Sequence, residues 1–412
     1  MIDDPRSELR EQGTALARFT RDLTADARAG RLEPVRSRAE EISRVVDILL
    51  RQGKNNPTLV GEAGVGKTAV VEGLAQRVAE GRVPLTLRGI RILALDHVAL
   101  LAGTTYRGQY EERIRRLIDE TTAAGDVVLF VDELHNLIGQ GTAMGTAMDA
   151  ANMLKPALVR GDFRVIGATT NDEYERWVLG DPALERRFQK IDVRELGPDE
   201  TLDILRARQA RLERHHNVVI AEGALVASVR LTDLYVPDRH RPDKAIDALD
   251  EACAHAQALA LYTPRTEALI RARMQRLRRG EARAADGADA GPERVVDHGA
   301  VRTDAEPDPL ARFTRGGFDA LERFGAELEA MFVSGPERDL GAAAPSGAAV
   351  EEPSPPDVPH RGAAADPTLP ASLAELETEL ARRLMEEGIV VRAHDVARVV
   401  SLMSGTTITW TD

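Results

Sequence analysis

Five short apolar runs, separated by amphipathic stretches, set the plan of residues 34–195. They lie at 58–60, 91–95, 127–131, 164–168 and 190–193. The third, Val127-Val128-Leu129-Phe130-Val131, has no polar interruption, the pattern of a strand buried on both faces. Between the runs, apolar residues recur at helical spacing. This alternation predicts an α/β domain in which helices flank a parallel sheet. Residues 1–33 are polar and mostly helix-like. Over 196–262 the strand runs stop, and a small α-helical lid domain is expected. Pro198 suits the first turn of its first helix.

From about residue 264 the character changes. Residues 263–370 read as a low-complexity linker, rich in Ala, Gly, Pro, Asp and Glu from 280 onward, with 353–359 the extreme. Such a composition buries too little apolar surface to order itself. A largely disordered C-terminal region is therefore expected. One island, 318–332, places Phe318, Leu321, Leu328 and Phe332 at helical spacing and predicts a helix. Ser372-Leu373-Ala374-Glu375 is a capping box. It opens a helix with Leu373, Leu376, Leu380 and Leu384 on one face, ended by Gly388, so residues 371–412 read as a helical segment. The chain has no internal repeat and no sustained heptad pattern.

Composition narrows the classes. The 412 residues allow about two or three domains. A net charge of −13 argues against a general nucleic-acid binder, which would show a basic face. The single cysteine, Cys253, excludes an internal disulfide and fits a reducing cytoplasm. Its alanine-rich helical surroundings place it in the core. No apolar run is long enough to span a membrane, and the charged N-terminus lacks the apolar stretch of a signal peptide. A cytoplasmic protein without membrane contact is expected.

The chemistry begins at 61–68, which read GEAGVGKT: Gly61, Glu62, Ala63, Gly64, Val65, Gly66, Lys67 and Thr68. An apolar run precedes them and a helical stretch follows. That context marks a phosphate loop. Glycines let backbone N–H groups converge on a phosphate, and the helix N-terminus adds its partial positive charge. Lys67 supplies a charge for the β- and γ-phosphates of ATP, and Thr68 a hydroxyl for Mg²⁺. The run 127–131 ends in Asp132 and Glu133. Asp132 joins Thr68 as a candidate Mg²⁺ ligand, and Glu133 is the candidate base for the attacking water. His215 and His216 resemble a metal pair, but no further cluster completes a site. Arg271, Arg273, Arg276, Arg278 and Arg279 read as a solvated helix extension.

Six segments at consistent spacing carry a resemblance. They are 59–73 (LVGEAGVGKTAVVEG), 103–113 (GTTYRGQYEER), 147–161 (AMDAANMLKPALVRG), 166–174 (IGATTNDEY), 183–190 (ALERRFQK) and 241–247 (RPDKAID). Together they resemble the first ATPase domain of the Clp-type AAA+ proteins, the ClpB, ClpC and ClpV group, over residues 14–260. A weaker echo at 389–408 resembles the lead into that family's second ATPase domain. The resemblance implies an AAA+ P-loop NTPase fold with a helical lid. It implies ATP and Mg²⁺ as cofactors, a homo-oligomeric, hexameric ring, and a protein substrate or partner.

It also implies roles. Thr170, beside Thr169, would sense the γ-phosphate. Arg186 and Arg187 would reach the next subunit's nucleotide. Tyr106, Arg107 and Gly108 fall on the first pore loop and would grip polypeptide, and 139–148 on the second. Val35 would pack on the adenine. There the chain departs from the family, which continues with an apolar residue and glycine where this chain has Arg36 and Ser37. Within the 412 residues there is no second phosphate loop, and the N-terminal domain is absent or reduced to 1–33. The expected activity is ATP-driven protein remodelling. The alternative is a nucleotide-dependent scaffold or switch within a larger assembly, without processive threading.

Overall fold

The structure is a computed structural model that describes residues 14–103, 107–139, 153–154, 156–158, 163–288, 369–370 and 372–408. The expected helix at 318–332 and most of the expected linker lie outside the described residues. The chain divides into two compact units, 1–275 with 370–412, and 276–369. Of the second, only 276–288 and residue 369 are described.

A six-stranded sheet forms the first layer, in the order β1-β3-β4-β5-β2-β6. Its strands are β1 (Thr20–Asp22), β2 (Asn56–Val60), β3 (Arg91–Leu95), β4 (Val127–Val131), β5 (Arg164–Thr169) and β6 (Phe188–Asp192). All neighbours are parallel except β1 and β3. The five apolar runs are five of these strands. Alternation along β4 shows why it has no polar position. Val127, Leu129 and Val131 join one core with Ile114, Phe163 and Phe188. Val128 and Phe130 join the other, with Leu59, Leu74 and Ile166.

The sixth strand, β1, was not expected, because residues 1–33 read as a separate helical segment. Thr20, Arg21 and Asp22 pair with Leu95, Ala94 and Leu93. The short helix Ala15–Phe19 enters with its first amides on Glu120, Ala15 N–H at 2.9 Å and Leu16 N–H at 3.0 Å. Phe19 then buries against one face of the sheet and Leu23 against the other. Two apolar residues are too few to reveal an edge strand by periodicity.

The lid follows as helices Pro198–His216, Glu222–Tyr235 and Asp243–Leu259. The structure departs from the sequence expectation at two further places. First, 264–288 is not linker but the helix Pro264–Ala288, with proline near its start and strong helix formers after it. Arg273, expected in solvent, is 4% exposed and donates to the carbonyl of Arg214 at 2.7 Å and to the side chain of Asn217. Second, the C-terminal segment is part of the lid. The capping box forms, with Glu375 N–H on Ser372 Oγ at 3.1 Å, and Leu376, Leu380 and Leu384 are buried. Strand β8 (Val390–Val391) pairs in parallel with β7 (Val219–Ile220). The helix Ala393–Ser404 then packs Val396, Ala397, Val399 and Val400 into the lid core. The segment 389–408 thus packs as part of this domain.

Candidate nucleotide site

A cleft of about 530 Å³ opens where the carboxyl ends of β2, β4 and β5 meet the lid. In open α/β sheets, ligands bind beyond the strands' carboxyl ends. Residues 63–68 line it, and the helix Lys67–Ala79 starts there. Gly64 and Gly66 adopt φ of 82° and 93°, conformations that favour glycine. Gly61 serves packing instead, since a Cβ there would stand 2.3 Å from the Val193 carbonyl oxygen. Glu62 turns outward to accept from Asn171 at 3.3 Å. Lys67 Nζ folds over the loop and donates to the carbonyls of Gly61 at 2.8 Å and Glu62 at 2.9 Å. Burial lowers the Lys67 pKa, opposed by the carboxylates of Asp132, Glu62, Glu173 and Glu133.

Thr68 Oγ1 donates to Asp132 Oδ2 at 2.9 Å, so the two candidate Mg²⁺ ligands are already together. Two hard oxygen donors beside a phosphate loop suit Mg²⁺, which takes its remaining ligands from phosphates and water. Among the described residues no cluster of three or more His, Cys, Asp or Glu could hold a metal. His216, of the suspected pair, is buried and bonded to Asp250 at 2.8 Å. Glu133 follows Asp132 in a left-handed conformation, φ 49°, and exposes its carboxylate. Asn136 Nδ2 donates to that carboxylate at 2.6 Å. A non-glycine residue in this conformation is strained, and such strain collects at functional sites.

Thr169 ends β5, Thr170 follows it, and both line the cleft. Both hydroxyls donate to Glu173 Oε2, at 3.1 Å and 2.7 Å. Val35 lines the same cleft, as do Leu196, Ile204 and Ile246. Gly73 makes room for it, because a Cβ there would stand 3.1 Å from Val35 Cγ1. Arg36 also lines the cleft, and Ser37 holds φ 57°, a conformation that favours glycine.

Arg186 and Arg187 are elsewhere. They follow the short helix Pro182–Glu185 and precede β6, a sheet edge. Neither lines the cleft, and neither guanidinium has a hydrogen-bond or ion-pair partner among the described residues. Tyr106 and 140–148 lie outside the described residues. Arg107 and Gly108 open the helix Arg107–Ala124.

Sequence reasoning missed several cleft residues. Arg38 is 2% exposed, bonded to Glu41 at 2.9 Å, to the Arg194 carbonyl at 3.1 Å and to the Val65 carbonyl. It ties the phosphate loop to the chain leaving β6. His135, Glu173 and Glu72 also line the cleft. Burial raises the Glu72 pKa, an effect that Arg21 opposes. No local pattern marks these side chains, because their partners are distant in sequence.

Parallel sheet, phosphate loop, strand-end Asp-Glu and helical lid define a P-loop ATPase of the AAA class. Residues 57–195 match the ATPase family associated with various cellular activities, and residues 197–297 match the AAA lid domain. The chaperone protein ClpB of Wolinella succinogenes is 51% identical over 263 residues, 64% of this chain and 31% of that protein. ClpB of Aquifex aeolicus is 51% identical over 64% of this chain and 26% of its own length. Among solved structures, the Saccharomyces cerevisiae Hsp104:casein complex superposes with a TM-score of 0.55 at 46% identity, over 59% of this chain and 42% of that one. Residues 57–297 thus carry an AAA ATPase domain with its lid, and the chain is similar to one part of the Clp-type ATPases. It spans between about a quarter and a third of the length of the curated relatives it matches. Among the described residues no helix is long and apolar enough to cross a membrane.

Proposed function

We propose that the chain hydrolyses ATP in a site shared between neighbouring copies of a hexameric ring, and uses the cycle to remodel polypeptide. The observation that carries this reading is the separation of parts. Loop, candidate Mg²⁺ ligands and base surround one cleft, while Arg186 and Arg187 lie outside its lining, their guanidinium groups without partners among the described residues. An arginine supplied in trans stabilises transition-state charge by orders of magnitude in rate. Thr68 and Asp132 would hold Mg²⁺, which when bound neutralises phosphate charge. Lys67 exchanges its loop carbonyls for phosphate oxygens. Glu133 leaves Asn136 to accept the proton of the attacking water. Thr170 senses the γ-phosphate.

Tyr106, Arg107 and Gly108 would grip the substrate. The relative solved with casein supports a protein substrate. The lone buried Cys253, its thiol pushed up to about 12 by burial, suits a reducing cytoplasm. The test mixes the full chain with ATP, Mg²⁺ and a fluorescent unstructured polypeptide. Remodelling that depends on hydrolysis is expected, and Tyr106→Ala should abolish it. Equal remodelling by Tyr106→Ala would remove the grip, and ATP turnover without remodelling would favour the switch.

A further inference from the structure

The geometry points to Glu173 as a gate on the γ-phosphate sensor, a carboxylate that holds the Thr170 hydroxyl until a triphosphate displaces it. This rests on the reading of Thr170 as the sensor. One oxygen, Glu173 Oε2, collects four groups. Thr170 Oγ1 lies at 2.7 Å, His135 Nδ1 at 2.9 Å, Thr169 Oγ1 at 3.1 Å and Thr170 N at 3.3 Å. The last contact is half of an ordinary helix cap, with Thr170 preceding the helix Asn171–Glu173. The other three exceed what a cap needs. They come from side chains that line the nucleotide cleft, as Glu173 itself does.

A hydroxyl has one proton to donate. While the Thr170 proton points at Glu173, the hydroxyl offers the cleft only lone pairs. A phosphate oxygen is itself an acceptor, so Thr170 cannot bond a γ-phosphate in this arrangement. The γ-phosphate and Glu173 therefore compete for one proton. They also compete in charge, since Glu173 is among the carboxylates whose field acts on Lys67. ADP carries no γ-phosphate and leaves the Thr170–Glu173 bond intact. Glu173 is thus a positioning residue whose effect falls on ATP rather than ADP.

The test measures ATP and ADP dissociation constants for the full chain with Mg²⁺. Thr170→Ala should lower the preference for ATP over ADP. Glu173→Ala should raise it about fivefold, the scale of one hydrogen bond relieved of a competitor. Glu173→Gln keeps an acceptor for the cap and should give a smaller rise, so the result survives if the alanine variant folds poorly. The double variant Thr170→Ala/Glu173→Ala should match Thr170→Ala alone. An unchanged ratio in Glu173→Ala and Glu173→Gln, with a lowered ratio in Thr170→Ala, would overturn the gate and leave the sensor. A rise that persists in the double variant would also overturn it, because Glu173 would then act without Thr170. An unchanged ratio in Thr170→Ala would remove the sensor reading itself.

Discussion

Glu133 combines an exposed carboxylate, a strained backbone and an amide partner in Asn136. Those features suit a base that must change partner during the cycle. Glu133→Gln should keep ATP binding and lower turnover by roughly 10²–10⁴, the usual span for a lost general base. Binding measured beside steady-state hydrolysis checks this, and unchanged turnover would reassign the base. Arg38 matters for a different reason. Its buried guanidinium joins Glu41, the Val65 carbonyl and the Arg194 carbonyl. Truncation would leave Glu41, 13% exposed, without its cation and free the phosphate loop. Arg38→Ala should cost about 3 kcal/mol of stability, as for one partner removed from a buried pair. It should weaken ATP binding as well, read by denaturant unfolding and nucleotide titration.

At the scale of elements, the edge strand β1 makes an acid-stability prediction. Asp26 follows it, within 2.6 Å of both Arg21 and Arg31. Burial pushes the Asp26 carboxyl up, but the bonds from Arg31 and Arg21 outweigh it and hold the carboxyl below its ordinary range. A depressed folded-state value contributes stability above the unfolded value, and the contribution is lost as pH falls through the folded one. Asp26→Asn should therefore destabilise the protein near neutrality and flatten the fall in melting temperature below about pH 4. An unchanged acid limb would contradict this.

The same elements show what the sequence could disclose. Runs such as 127–131 declare themselves because both faces of a central strand are apolar. The loop 61–68, Asp132 and Glu133 declare themselves because phosphate chemistry needs fixed residue types at fixed spacing. Strand β1 is three residues long and polar throughout, so no apolar period forms. The β7–β8 pair joins two-residue strands about 170 positions apart, beyond any local pattern. Arg273 reads as surface from its basic neighbours, and only the helix end at Asn217 makes it core. The gate at Glu173 was hidden for the same reason, since His135 approaches it from the helix Leu134–Gly139 that follows β4.

For the whole molecule, the central claim is that one chain does not make a complete site. Arg186 and Arg187 lie away from the cleft they would serve, which a head-to-tail ring resolves by handing them to the next copy. The most direct test uses two inactive variants. Arg186→Ala/Arg187→Ala keeps Glu133 but lacks the arginines, and Glu133→Gln keeps the arginines but lacks the base. Each alone should have little ATPase activity. Mixed in equal amounts and allowed to exchange, they should regain up to about a quarter of wild-type turnover, the share of interfaces pairing an intact base with intact arginines in a randomly assembled ring. No recovery after confirmed mixing of subunits would contradict the shared site.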